Sequence, residues 1–438
     1  MLVTHDRGTL PIAPGAAVAV VGRFAAEARF QGGGSSHVNP TRVDTALDAI
    51  RALSTPVSYA RGLDDNAVEI AREAEVTVVF AGLKESDESE GYDRDTIDLP
   101  SDQVDLIRAV AAVSRRTVVV LSHGGVVSLE GWHDEVDAIL EGWLLGQAGG
   151  AAVADLLFGI ANPSGHLAET IPVRLRDNPS YFNFPGEQGH VRYGEGVLVG
   201  YRYYETAEVP VRYPFGHGLS YTTFGTSDLT VTTTGDDSAT VSVTVTNTGS
   251  VAGKHVVQVY VATTAGPVRR PARELRAFTK VALEPGESRR VELSLGRRAF
   301  AYYDIELRRW VVAPGDYTVQ VGESAAVVVA QERITLVGDV IERELSLDSP
   351  VEEWFGHPVV GPLITRTLTE AMTEEQARQA ETSSDSLRMV ASLPMGQFVH
   401  FLTLSGAHLP PDALADLVEI SKTRVAPSVN HAAEGVSR

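Results

Sequence analysis

Val76-Thr77-Val78-Val79-Phe80, an apolar β-branched run, leads through the acidic loop Glu88-Ser89-Glu90-Gly91-Tyr92-Asp93-Arg94-Asp95-Thr96-Ile97-Asp98-Leu99-Pro100 into a helix-period segment beginning near Ser101. A strand that feeds a loop and then a helix is the building unit of a parallel α/β sheet, and the loops at the carboxyl ends of such strands are where these sheets bind ligands. The same alternation continues on either side. Val18-Ala19-Val20-Val21, Thr117-Val118-Val119-Val120-Leu121 and Ala138-Ile139-Leu140 read as further strands, and helices are expected over 43–53, 66–73, 101–113 and 150–157. The pattern predicts a mostly parallel sheet flanked by helices, an α/β sandwich domain over 1–159 that carries the acidic loop.

Beyond it the character changes twice. Residues 160–224 are rich in Pro, Gly, Tyr and Phe with little periodicity, as in a long connection laid over a surface. From 225 to 335 the apolar residues alternate, as in Ala239-Thr240-Val241-Ser242-Val243-Thr244-Val245, and Pro285-Gly286 and Pro314-Gly315 mark turns, so an all-β fibronectin-III or immunoglobulin-like sandwich is expected. A helical tail over 336–438 follows, with amphipathic segments at 370–382, 386–404 and 411–422.

Composition narrows the function. The 438 residues carry a formal charge of −20, which repels phosphate backbones and anionic membrane surfaces, so neither nucleic acid nor membrane is an expected partner. With no cysteine, disulfides and thiolate metal sites are absent. His5, His37, His123, His133, His166, His190 and His217 are scattered without metal-ligand spacing, and no metal or other cofactor is expected. The first residues show no basic flank followed by an apolar core, which reads as a cytoplasmic chain without a signal peptide.

Ser89-Glu90-Gly91-x-Asp93-Arg94 with the trailing Leu99-Pro100 resembles the acid/base loop of glycoside hydrolase family 3, the β-glucosidase family. The resemblance runs on in family order through Gln31-Gly32-Gly33-Gly34-Ser35-Ser36-His37, Gly146-Gln147-Ala148-Gly149-Gly150, Asn162-Pro163-Ser164-Gly165, Tyr193-Gly194-Glu195-Gly196, Gly200-Tyr201-Arg202-Tyr203-Tyr204 and Pro214-Phe215-Gly216-His217-Gly218. It implies the C-terminal portion of a retaining exo-acting β-glycosidase, without the N-terminal TIM-type barrel that bears the nucleophile, and therefore a chain inactive alone. It implies Glu90 as general acid/base, and a β-linked oligosaccharide or an aryl or alkyl β-glycoside as substrate. It also implies a separately encoded barrel as partner; a homo-oligomer is a further expectation.

Residue chemistry is compatible with these roles but leaves alternatives. A retaining glycosidase needs two carboxyl groups about 5 Å apart, and this chain supplies at most the second. Glu85, Asp87, Glu88, Asp93 and Asp95 crowd the same loop, so a merely solvated acidic loop is the competing reading. Ser35 and Ser36 offer hydroxyls and amides to a sugar at the rim of the site. Asp93 and Arg94 read as loop scaffold, the first accepting backbone hydrogens and the second forking a carboxylate. The rival function is a non-catalytic module, derived from such an enzyme, that binds glycans or a protein partner. If a barrel docks on the face near Ser35, Ser36 and Glu90, that face is expected to expose an apolar rim.

Overall fold

Runs of valine build the first sheet. A computed structural model describes residues 1–63, 66–339, 344–371, 390–404 and 412–423, and the chain divides into two units, Met1–Asp339 and Val340–Arg438. In the first unit, strands β1 (Leu2–His5), β2 (Val18–Val21), β3 (Val57–Ala60), β4 (Val76–Gly82), β5 (Thr117–Ser122) and β6 (Ala138–Glu141) lie in the order β1-β6-β5-β4-β2-β3. β2 to β6 run parallel and β1 closes one edge antiparallel. Every residue of β2, β4 and β6 is buried, as strands covered on both faces require.

Alternate side chains serve opposite faces. Val18, Val20, Val78 and Val120 pack with helices α1 (Ala46–Leu53) and α4 (Gly149–Leu157), while Val21, Val79, Val119 and Leu121 pack with α2 (Ala67–Glu73) and α3 (Ser101–Ala111). α1 begins later than its periodicity suggests because the Thr45 hydroxyl accepts the Asp48 amide and caps the first turn at Ala46. Two short edge strands, β1 and β3, were not expected from the sequence.

This topology sets the site. The chain leaves β2 for β3 on one side and returns to β4 on the other, so the carboxyl ends of β2 and β4 flank the switch point where open α/β sheets form a crevice. At the end of β4, Gly82 has φ +150, and a side chain there would meet the Ser122 carbonyl at 1.9 Å. Its amide and carbonyl are both held at 2.8 Å by the Gln103 side chain, which ties the start of the acidic loop to α3.

Residues after α4 wrap the sheet and reach the next domain through the pair β7 (Ile171–Pro172) and β8 (Val211–Tyr213) and helix α5 (Tyr201–Thr206). Tyr201 stacks on Phe215 at 4.4 Å and accepts the Leu275 amide at 2.7 Å. Tyr221 donates to the Leu156 carbonyl at 2.7 Å, and Tyr204 is buried. These aromatics act as mortar between layers. Phe182 and Tyr193, in the same connection, are instead 93% and 82% exposed.

The sandwich comprises β9 (Phe224–Gly235), β10 (Ser238–Asn247), β11 (Gly253–Thr263), β12 (Glu274–Leu283), β13 (Ser288–Leu295), β14 (Tyr302–Asp304), β15 (Arg309–Val311), β16 (Gly315–Gly322) and β17 (Val328–Leu336). Sheets β13-β10-β9 and β12-β11-β16-β17 face each other, with β14 and β15 as a hairpin. Val241, Val243, Val259 and Val319 fill the space between them.

His255 on β11 stands 4.9 Å from Phe224 and 6.4 Å from His166. Burial, reinforced by His166, pushes its imidazole down from about 6.5 to about 4. The unfolded chain therefore binds a proton that the fold refuses between those values. Stability should fall as pH drops from about 6.5 to about 4, by about 3 kcal/mol from this group, and no further below. Urea denaturation across that window checks it; in His255→Gln the slope should flatten.

In the second unit, α6 (Val351–Gly356), α7 (Val360–Ala371), α8 (Met395–Leu404) and α9 (Ala413–Thr423) share a core of Leu345, Val351, Trp354, Ile364, Met395 and Leu417. The fully buried Trp354 donates Nε1–H to the Ser346 carbonyl at 3.0 Å. The helix expected over 370–382 lies almost wholly outside the described residues, as do the first residues of that expected over 386–404. α6 and most of α7 were not foreseen. Among the described residues no helix is long and apolar enough to cross a membrane.

Candidate active site

Two loops meet at the switch point. The one after β2 carries Gly32-Gly33-Gly34-Ser35-Ser36, with Gly34–Ser36 forming one turn of 3-10 helix; the one after β4 carries Glu90. Glu90 is exposed, and its Oε2 accepts the Ser35 amide at 2.8 Å and the Ser35 hydroxyl. These two donors, the hydroxyl first, hold its carboxyl below the usual glutamate range. Glu90 is thus a carboxylate at neutral pH, the base form of an acid/base pair.

Close approach of the loops depends on Gly34. Its φ is +76, and a Cβ there would stand 3.0 Å from both Cβ and Oε2 of Glu90. Gly34→Ala should cost about 1–2 kcal/mol of backbone strain and push Glu90 off Ser35. NMR titration of the Glu90 carboxyl checks this: it should move up towards the ordinary glutamate value, with the Ser35 amide resonance changing alongside.

The other expected site residues occupy distinct places. The Ser36 hydroxyl donates to the Gly33 carbonyl at 3.0 Å and stiffens its own loop. Asp93 is exposed on the outer turn, and Arg94 donates Nη2–H to the Val126 carbonyl at 2.7 Å, bracing the loop through a carbonyl where a carboxylate fork was expected. Backbone amides are instead accepted by Glu88, which the sequence reading passed over as one acid among many. Its Oε1 accepts the Gly124 amide at 2.6 Å and Arg29 Nη2–H at 3.2 Å, and its Oε2 accepts the Gly125 amide at 3.0 Å. Only contacts to residues 36, 37 and 59 positions away distinguish it, and no local spacing shows those.

At the ends of β5 and β6, His123 Nε2 lies 3.0 Å from Glu141 Oε2, each side chain 1% exposed, with an alignment too poor for a hydrogen bond. The Trp143 ring meets His123 edge-on at 5.0 Å. A cleft of about 620 Å³ opens beside the acidic loop, walled by Arg23, Phe24, Arg29, Lys84, Ser89 and Tyr92, while Glu90 turns away from it towards Ser35. Val38 and Tyr92, 63% and 52% exposed, give the rim of this face apolar surface. Among the described residues no cluster of three His, Asp or Glu side chains is arranged to hold a metal ion.

The arrangement presents one ionised carboxylate and two donors at the switch point, groups that can exchange a proton with a ligand and hydrogen-bond its hydroxyls. Residues 1–221 match the model of the glycosyl hydrolase family 3 C-terminal domain, and residues 255–325 that of the fibronectin type III-like domain. An exo-α-(1→6)-L-arabinopyranosidase of Bifidobacterium breve is 40% identical over 92% of this chain and 55% of its own. Thermostable β-glucosidase B of Acetivibrio thermocellus is 38% identical over 96% of this chain and 57% of its own. The crystal structure of a family 3 β-glucosidase from Bifidobacterium adolescentis superposes with a TM-score of 0.79 at 46% identity, over 83% of this chain and 55% of that one. The chain spans about half the length of the curated relatives it matches.

Proposed function

The chain belongs to glycoside hydrolase family 3, and on that premise we propose that it forms the C-terminal part of a retaining exo-acting β-glycosidase in which Glu90 is the general acid/base. The observation that supports the reading is the clasp of Glu90 by Ser35 across the switch point, the place where open α/β sheets generally bind ligands. The substrate class is a terminal β-D-glucosyl or similar residue of an oligosaccharide or of an aryl or alkyl glycoside. The nucleophile is an aspartate on a barrel domain of the kind the family places before this segment. No cofactor takes part, because carboxyls and water suffice.

The steps follow from the site. The barrel carboxylate attacks the anomeric carbon while Glu90 protonates the departing oxygen; Glu90 then deprotonates the water that releases the sugar. The Ser35 clasp favours the second step, since it stabilises the ionised form. For the first step Glu90 must be protonated. A sugar that desolvates it and a second carboxylate nearby both raise its pKa, opposing the clasp. As Glu90 turns to the glycosidic oxygen, the amide and hydroxyl of Ser35 become available to a sugar hydroxyl, and the Ser36 hydroxyl stands beside them.

The test is hydrolysis of an aryl β-glucoside by the purified chain alone, then with a barrel domain from a longer relative, fused or in trans, with Glu90→Gln in parallel. Turnover is expected only with the barrel, and in Glu90→Gln its steady-state rate should fall sharply because release of the sugar from the glycosyl-enzyme lacks its base. Turnover that ignores the Glu90 substitution would sink the reading.

A further inference from the structure

One largely enclosed ion pair touches all three loops of this face. Glu88, 12% exposed, belongs to the loop after β4 and accepts both amides of Gly124 and Gly125 in the loop after β5. Its partner Arg29, 7% exposed, lies in the loop after β2 and donates Nε–H to the Leu83 carbonyl at 3.0 Å and Nη1–H to the Gln31 carbonyl. Ser35 follows four residues after Gln31, and Glu90 two residues after Glu88. A carboxylate this enclosed requires several donors, and three that come from two other loops make it a fixed point for the group.

We propose that Glu88 is the positioning residue of the site, locking three loops into the one arrangement in which the Ser35 donors meet Glu90. Its catalytic consequence rests on the reading of Glu90 as acid/base; the geometric claim does not. The alternative is that Glu88 matters only as a charge beside Glu90. The two differ in sign. Removing a neighbouring negative charge, and freeing the Arg29 cation, makes the Glu90 carboxyl easier to ionise and lowers its pKa. Releasing the loop removes the Ser35 donors and raises it. Of the other titratable and charged groups on this face, Lys84 is paired with Asp87 at 3.3 Å, Glu85 stands 2.7 Å from His37 and Arg94 is held on the Val126 carbonyl; the substitution removes none of these contacts.

The experiment is NMR titration of the Glu90 carboxyl in the whole chain, in Glu88→Ala and in Glu88→Gln, with thermal melting to show that each variant is folded. In Glu88→Ala the Glu90 pKa should rise into the ordinary glutamate range. In Glu88→Gln, which keeps a carbonyl oxygen for a glycine amide but loses the charge, it should stay at or below the parent value. A Glu90 pKa unchanged or lowered in Glu88→Ala overturns the proposal, as does a rise of equal size in both variants. If Glu88→Ala does not fold, Arg29→Lys replaces it: the cation is kept while the contacts to the Leu83 and Gln31 carbonyls are lost, so loop release should raise the Glu90 pKa, and a fall or no change overturns the proposal. The titration needs no turnover, so a failure of the glycosidase reading leaves it readable.

Discussion

In the barrel-complemented enzyme, Glu90→Gln should lower kcat/KM for an alkyl β-glucoside by about 10²–10⁴-fold, the usual range for losing a general acid or base. The loss should depend on the leaving group. An alkoxide cannot depart without a proton, so alkyl glucosides feel the full effect on the first step. A nitrophenolate departs unaided, so for an activated aryl glucoside the first step should be nearly normal and the second, which needs Glu90 as base, should become limiting. Steady-state rates for a series of leaving groups, with a burst of phenolate in the activated cases, check this. Equal losses across the series would mean that Glu90 only shapes the site.

The second large effect is structural. Gln258 on β11 is 3% exposed, and its amide joins the wrapping connection to the sandwich. Nε2 donates to the Gly216 and Glu323 carbonyls, both at 2.9 Å, and Oε1 accepts the Tyr260 hydroxyl at 2.7 Å. Leucine is similar in shape but leaves the Glu323 carbonyl and the Tyr260 hydroxyl without a partner and the Gly216 carbonyl with only the His166 Nδ1 contact at 2.7 Å, and each buried polar atom left alone costs about 1–3 kcal/mol. Gln258→Leu should therefore destabilise the first unit by about 3–5 kcal/mol in urea denaturation. A loss under about 1 kcal/mol would show that the three groups find other partners.

Sequence and structure agree where burial writes itself into composition. The valine runs of β2, β4 and β5 could serve only strands covered on both sides, and the alternation in β10 only a half-buried one. Elements hidden from the sequence are those whose stability is borrowed. Leu2-Val3-Thr4-His5 and Val57-Ser58-Tyr59-Ala60 are four-residue edge strands with little pattern, held by neighbours far along the chain. β12 carries Phe278 67% exposed on the outward face it shares with Lys280 and Ala282, so its apolar residues do not alternate and it escapes a period-2 reading.

The site divides in the same way. Glu90 and Ser35 were singled out through resemblance, and their direct contact spans 55 positions, which no local rule provides. Glu88 differs from Glu85 or Asp95 only in what the fold brings to it. Arg94 braces the loop on a carbonyl because Val126 lies within reach, while Asp93 points outward.

The most direct test of the central claim uses azide. In the barrel-complemented Glu90→Ala variant acting on an activated aryl β-glucoside, the glycosyl-enzyme waits for a base that is no longer there, and azide needs none. Added azide should restore turnover and yield the β-glucosyl azide, retained in configuration, identified by NMR of the product. No azide adduct and no rate rescue, with the variant otherwise folded and binding substrate, would contradict the assignment of Glu90 as the acid/base of a retaining glycosidase.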